Sequence, residues 1–113
     1  MVARFARSNQ KTTMTSNLSF LVGHDLAVYS SRTCPDCIRL DRWMQTNSVA
    51  HRKVYIDDDP GAAEKLENET GKQAVPFILV DGRTWVRGYH KEERSRLSEA
   101  LLLQELGRAL QPA

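Results

Sequence analysis

Between residues 25 and 110 the hydrophobic period of the chain changes repeatedly, and this alternation narrows the fold more than any other feature. Leu26-Ala27-Val28-Tyr29-Ser30 is a short, apolar, β-prone run that reads as a buried strand. Over residues 35–47 the period becomes helical. Cys37, Leu40 and Met44 share one face, and Pro35 suits the first helical position, where its missing N–H is no loss. Residues 51–56 form a second strand. Asp59 is a helix N-cap followed by Pro60, and that helix runs to about Thr70, with Ala63, Leu66 and Thr70 inward and Gly71 ending it. Residues 75–80 are a third, continuously apolar strand. Asp81-Gly82 makes a hairpin turn, and residues 83–87 return antiparallel. Gly88 breaks that strand, and residues 91–110 read as a last helix with a wide leucine face. The order β-α-β-α-β-β-α starts with a parallel pair and ends with a hairpin, so the expected fold is α/β with a four-stranded mixed sheet.

A chain of 113 residues holds one such unit. The apolar share of 41% against 27% charged argues against global disorder. The longest uncharged apolar runs, 74–80 and 100–103, fall far short of the ~20 residues that span a bilayer, so no membrane role is expected. Net charge is +2, too small to make nucleic acid the default partner. The excess lies in residues 1–24, where Arg4, Arg7 and Lys11 face no acid. Residues 1–17, rich in Ser, Thr, Asn and Gln and without period, read as disordered, so residues 1–24 are assigned to a mostly disordered leader and 25–113 to the folded domain. The leader lacks the apolar core of a secretory signal. Its acid-free, Arg-bearing composition fits a transit peptide weakly, and an unstructured tail, or a true start at Met14, is the plainer reading.

The only cysteines are Cys34 and Cys37, in Cys34-Pro35-Asp36-Cys37. A secreted disulfide scaffold would scatter four or more. Here the pair follows a strand and opens a helix, where unpaired N–H groups and the helix dipole favour a thiolate. The first cysteine sits at the exposed end, and the second lies one turn in, placed to resolve a mixed disulfide on the first. Asp36 puts a carboxylate beside this position. In water-like dielectric it opposes the thiolate by roughly 0.7 kcal/mol, comparable to the helix-terminus benefit of about 0.3–1 kcal/mol. Zinc is disfavoured because His24, His51 and His90 are scattered and only two thiols are present. The acid run Asp57-Asp58-Asp59 lacks the spaced oxygen ligands of a calcium site and reads as a solvated turn before a helix.

With these pieces in order, the chain resembles the glutaredoxin group of the thioredoxin superfamily. The resemblance rests on Val28-Tyr29-Ser30 before the Cys34-Pro35-Asp36-Cys37 motif, Ala74-Val75-Pro76 before the third strand, Asp81-Gly82 in the hairpin, and Gly88-Tyr89 before the last helix. It implies a thioredoxin-like, glutaredoxin-type fold and a thiol–disulfide oxidoreductase. Cys34 would attack a protein disulfide or a glutathione mixed disulfide, and Cys37 would resolve it. It also implies that Pro76 is a cis proline facing the cysteines, and it assigns Arg32, Pro35, Asp36, Val75, Pro76, Gly88 and Tyr89 to substrate binding. Ser31, Asp36 and the single Gly88 followed by Tyr89-His90-Lys91 depart from the glutathione-cradling pattern. Trp85 and Gly88-Tyr89 look closer to the redoxins that reduce ribonucleotide reductase and draw electrons from thioredoxin reductase.

On this reading no cofactor is tightly bound. Glutathione or thioredoxin reductase is the electron donor, disulfide-bearing proteins are the partners, and the protein is a cytoplasmic monomer. The alternatives are a [2Fe–2S] cluster shared between two subunits, which Pro35 disfavours, and a non-enzymatic interaction module. Trp85 is the better of the two tryptophans for partner contact, and His90 reads as a cap or surface residue.

Overall fold

Seven elements build the body of the protein, described over residues 18–111 in a computed structural model. In chain order they are β1 (Leu26–Ser30), α1 (Pro35–Thr46), β2 (Arg52–Tyr55), α2 (Pro60–Thr70), β3 (Phe77–Val80), β4 (Thr84–Arg87) and α3 (Glu99–Ala109). The sheet runs β2-β1-β3-β4. β1 and β2 are parallel, joined through α1, while β1–β3 and β3–β4 are antiparallel. This is the expected mixed α/β sheet.

Period-two alternation sends each strand's side chains to both faces. Leu26 and Val28 of β1, Ile78 and Val80 of β3 and Val86 of β4 meet Leu40 and Met44 of α1 and Leu102 and Leu106 of α3. On the opposite face Ala27, Tyr29, Phe77 and Leu79 meet Ala62 and Leu66 of α2. Burial on both faces explains why β1 and β3 read as unbroken apolar runs.

The helix starts follow the sequence. Asp59 accepts from the Ala62 amide at 3.1 Å with Pro60 next, and Gly71 ends α2 at φ 76°. The buried face of α2 is carried by Ala62 and Leu66, one position off the expected Ala63, which is only half-buried. In the hairpin both Asp81 and Gly82 take positive φ, as a type I′ turn requires.

Two expectations change. The last helix begins at Glu99, eight residues later than read from sequence, because Ser98 caps it by accepting from the Leu101 amide at 3.2 Å. Residues 91–95 are exposed and carry no apolar side chain to bury, and Arg96 takes a left-handed φ of 64° that no helix accommodates. The expected disordered segment 1–17 lies outside the described residues. Residues 18–24 carry a 3-10 turn, Ser19–Leu21, whose Leu21 is buried in the first cluster, so the packed body begins before residue 25. Among the described residues no helix is long and apolar enough to cross a membrane.

Candidate active site

Cys34 is the N-cap of α1. Its backbone is extended (φ −108°, ψ 113°), and its sulfur accepts a hydrogen bond from the Cys37 amide at 3.1 Å. Sulfur thus does what a Ser or Asp oxygen does at other helix starts. Pro35 follows at the first helical position and is exposed. One turn in, Cys37 is 3% exposed. Burial, first of all, together with its hydrogen bond to Cys34, pushes the Cys37 thiol up to about 11. Ser30 and Ser31 partly offset this by bonding to it. Both cysteines are free thiols, one half-buried and one buried.

The chain before β3 closes the site. The Val75–Pro76 bond is cis, as the resemblance implied, and Cys34 Sγ donates to the Val75 carbonyl oxygen at 3.7 Å. β1 and β3 pair as far as Tyr29↔Phe77, so Val75 lies just past the end of that ladder. Gly88 donates its amide to the Pro76 carbonyl at 2.9 Å. A Cβ at Gly88 would stand 2.6 Å from Leu40 Cδ2 and 3.1 Å from Pro76 Cγ. Gly88 therefore allows the close approach that seats the Pro76 turn against α1.

Other residues assigned from sequence sit differently. Tyr89, expected beside a substrate groove, is only 5% exposed and stacks edge-on with Phe77 at 5.9 Å between ring centroids. Trp85 packs edge-on to Tyr29 at 4.8 Å and donates to Glu69 of α2. Arg32 is exposed, bonds Asp58 at 2.6 Å and lies 4.1 Å above the Tyr55 ring. Asp57 and Asp58 are more than a solvated turn, because Asp57 accepts from the Ser31 hydroxyl and the Arg32 amide and so anchors the loop that leads into Cys34. His90 is fully buried rather than at the surface. Its Nδ1 accepts from the Ser98 amide at 3.1 Å, and its Nε2 lies 3.3 Å from Glu105, which also binds Arg87.

The Asp36 carboxylate is not unpaired. Arg96, 60 positions away, bonds both its oxygens at 2.9 and 2.7 Å, and Arg39 adds a third bond. Hydrogen bonding from Arg96, chiefly, holds the Asp36 carboxyl below the usual range. The opposition to a thiolate expected from a bare Asp36 is thus countered by two guanidiniums. Arg96 is held charged first by Asp36, with a smaller attraction from Cys34. Sequence reading missed Arg96 because it placed residues 91–96 inside a helix. Among the described residues no group of three or more His, Cys, Asp or Glu side chains is arranged to hold a metal ion.

Comparison with known proteins agrees with this geometry. The glutaredoxin family profile matches residues 26–85. A glutaredoxin from Pseudomonas aeruginosa is 31% identical over 80 residues, covering 68% of this chain and 94% of its own length. The glutaredoxin-like protein NrdH of Lactococcus lactis subsp. cremoris is 29% identical, covering 65% of this chain and 99% of its own length. In structure, a glutaredoxin from Archaeoglobus fulgidus superposes with a TM-score of 0.51 at 26% identity, covering 82% of this chain and 97% of its own. The NrdH-redoxin of Escherichia coli shares the fold with a TM-score of 0.53 at 20% identity, over 79% of this chain and 97% of its own. With the profile spanning the first strand, the cysteine motif, the prolyl turn and the hairpin, the chain belongs to the glutaredoxin family of thiol–disulfide redoxins.

Proposed function

We propose that the protein reduces disulfides of other proteins through a Cys34/Cys37 dithiol. The observation that carries this reading is the Cys34 sulfur held between the Cys37 amide and the Val75 carbonyl, with Cys37 buried behind it. Cys34 attacks as thiolate. One substrate sulfur leaves, and the other stays bonded to Cys34. Cys37 gives up its proton and attacks Cys34, which releases the second substrate thiol and leaves an internal disulfide. Two electrons pass from the protein to the substrate. The Val75 backbone, next to Cys34 and beyond the end of the β1–β3 ladder, is the segment against which an extended substrate chain aligns.

Glutathione or a thioredoxin reductase restores the dithiol. The altered glutathione-facing positions favour the second, and so does likeness to an NrdH-redoxin described as having a thioredoxin-like activity profile. Supplying the oxidised protein with either glutathione and its reductase or thioredoxin reductase separates the two donors. A reducing compartment such as the cytoplasm suits two free thiols. The reaction itself is tested with insulin as disulfide substrate. Cys37→Ser accumulates a mixed disulfide that thiol reagents release, and Cys34→Ser forms none. Equal insulin reduction by wild type and Cys34→Ser would falsify the proposal.

A further inference from the structure

Beside the reactive sulfur lies a guanidinium fork that the chain fills with its own carboxylate. Arg96 engages Asp36 through Nε and Nη2, one bond to each oxygen, the geometry by which arginine holds a carboxylate most specifically. Arg39, one turn along α1, bonds the same carboxylate. Asp36 itself is withdrawn, 15% exposed, while the Arg96 and Arg39 side chains remain 43% and 41% exposed. The fork is also held in place from behind. Arg96 sits at φ 64°, a conformation that L residues keep only when their surroundings impose it. Its amide bonds Glu93 O at 3.0 Å and its carbonyl accepts from the His90 amide at 2.7 Å. Asp36 is two residues from Cys34 in the same first turn of α1, so this filled fork borders the place where an incoming disulfide must lie.

Resting on the dithiol reading above, we propose that Asp36 is a specificity-determining residue: an internal carboxylate that occupies the Arg96–Arg39 fork and disfavours disulfides whose own carboxylates would bind there. A small disulfide bearing carboxylates must displace a partner already tethered at high effective concentration. A protein disulfide read through its backbone at Val75 meets no such competition. Asp36 thereby shifts the site from low-molecular-weight disulfides toward protein disulfides.

The probes are glutathione disulfide and its tetraethyl ester, in which the carboxylates are masked. In either reaction the dithiol gives two electrons and ends as the Cys34–Cys37 disulfide, and two glutathione or glutathione-ester thiols are released carrying the two protons. The readout is the ratio of single-turnover rates, acid over ester, for the full chain. Asp36→Asn raises this ratio about fivefold, the scale of one exposed ion pair, and the gain fades in about 1 M salt, where screening acts within ~3 Å. Arg96→Gln moves it the other way, because Asp36 then loses its main partner and repels the substrate carboxylates. In Asp36→Asn/Arg96→Gln the gain disappears. An unchanged or lower ratio in Asp36→Asn, or a gain that survives without Arg96, overturns the inference. Should Asp36→Asn not fold, the opposite sign expected for Arg96→Gln decides alone, and a raised or unchanged ratio there refutes the proposal. Insulin reduction by wild type separates the two readings: without it the redox reading fails and this inference with it, and with it the ratios alone decide this inference.

Discussion

At the scale of single residues, two cysteines three positions apart occupy opposite environments. Cys34 is a half-buried helix cap, whereas Cys37 is 3% exposed and its thiol is pushed up to about 11, by burial before any other cause. Only the thiolate reacts, so a raised thiol holds a small reactive fraction at neutral pH. In Cys34→Ser, alkylation of Cys37 by iodoacetamide is therefore expected to be slow at pH 7. Its rate should climb about tenfold per pH unit into the range above 9, with burial as the contribution that survives loss of the Cys34 sulfur. A rate that levels off below pH 9 would count against burial as the cause of the raised Cys37 thiol. The places of the two sulfurs were legible in the sequence, because their spacing and the preceding strand locate them at a helix start. The partner of Asp36 was not, because an ion pair that spans 60 positions leaves no local pattern.

Among the elements, those bounded by local chemistry were readable and the one bounded by tertiary contact was not. Pro35 opens α1, Asp59 and Pro60 open α2, Gly71 closes it, and Asp81-Gly82 turns the hairpin, each through backbone preferences that the residue itself carries. The start of α3 is different. A charged stretch before leucines looks helical, but the buried imidazole of His90 receives the Ser98 amide and the chain at Arg96 turns left-handed, so the helix starts late. The junction between this loop and α1 depends on Gly88. Gly88→Ala drives a methyl carbon to 2.6 Å from a side chain, Leu40, that has no exposed surface to move into. The expected loss is about 1–3 kcal/mol, the usual range for overpacking, read as a lower urea midpoint with an unchanged slope. A midpoint equal to wild type would mean that the Pro76 turn and α1 separate easily.

At the scale of the whole molecule, seven carboxyls among the described residues bind their protons less readily folded than free. Asp25 is held down first by Arg52, Asp36 by Arg96, Asp57 by the Arg32 amide, Glu69 by Lys65, Asp81 by the Asp25 amide and Glu92 by Arg87, while at Glu105 burial pushes upward and the bonds from Arg87 and His90 outweigh it. A lowered folded value means that the stability is present above the unfolded range of about 4 and is lost as pH falls through the folded values. The urea midpoint should stay level from pH 7 to 5, then drop below about pH 4, and the drop should shrink in high salt because most of these groups are exposed. A midpoint constant from pH 6 to 3 would show that the pairs do nothing for the fold.

The sheet order has a further consequence. α1 leaves from β1 and the prolyl turn enters β3, and these two strands are neighbours in the middle of the sheet, joined up to Tyr29↔Phe77. Both halves of the reactive centre therefore hang from one interior ladder. The outer strands β2 and β4 reach the centre only through the residues just past their ends, Asp57 at the loop into Cys34 and Gly88 at the prolyl turn, so the alignment of thiol and turn rests mainly on the two strands least prone to breathe.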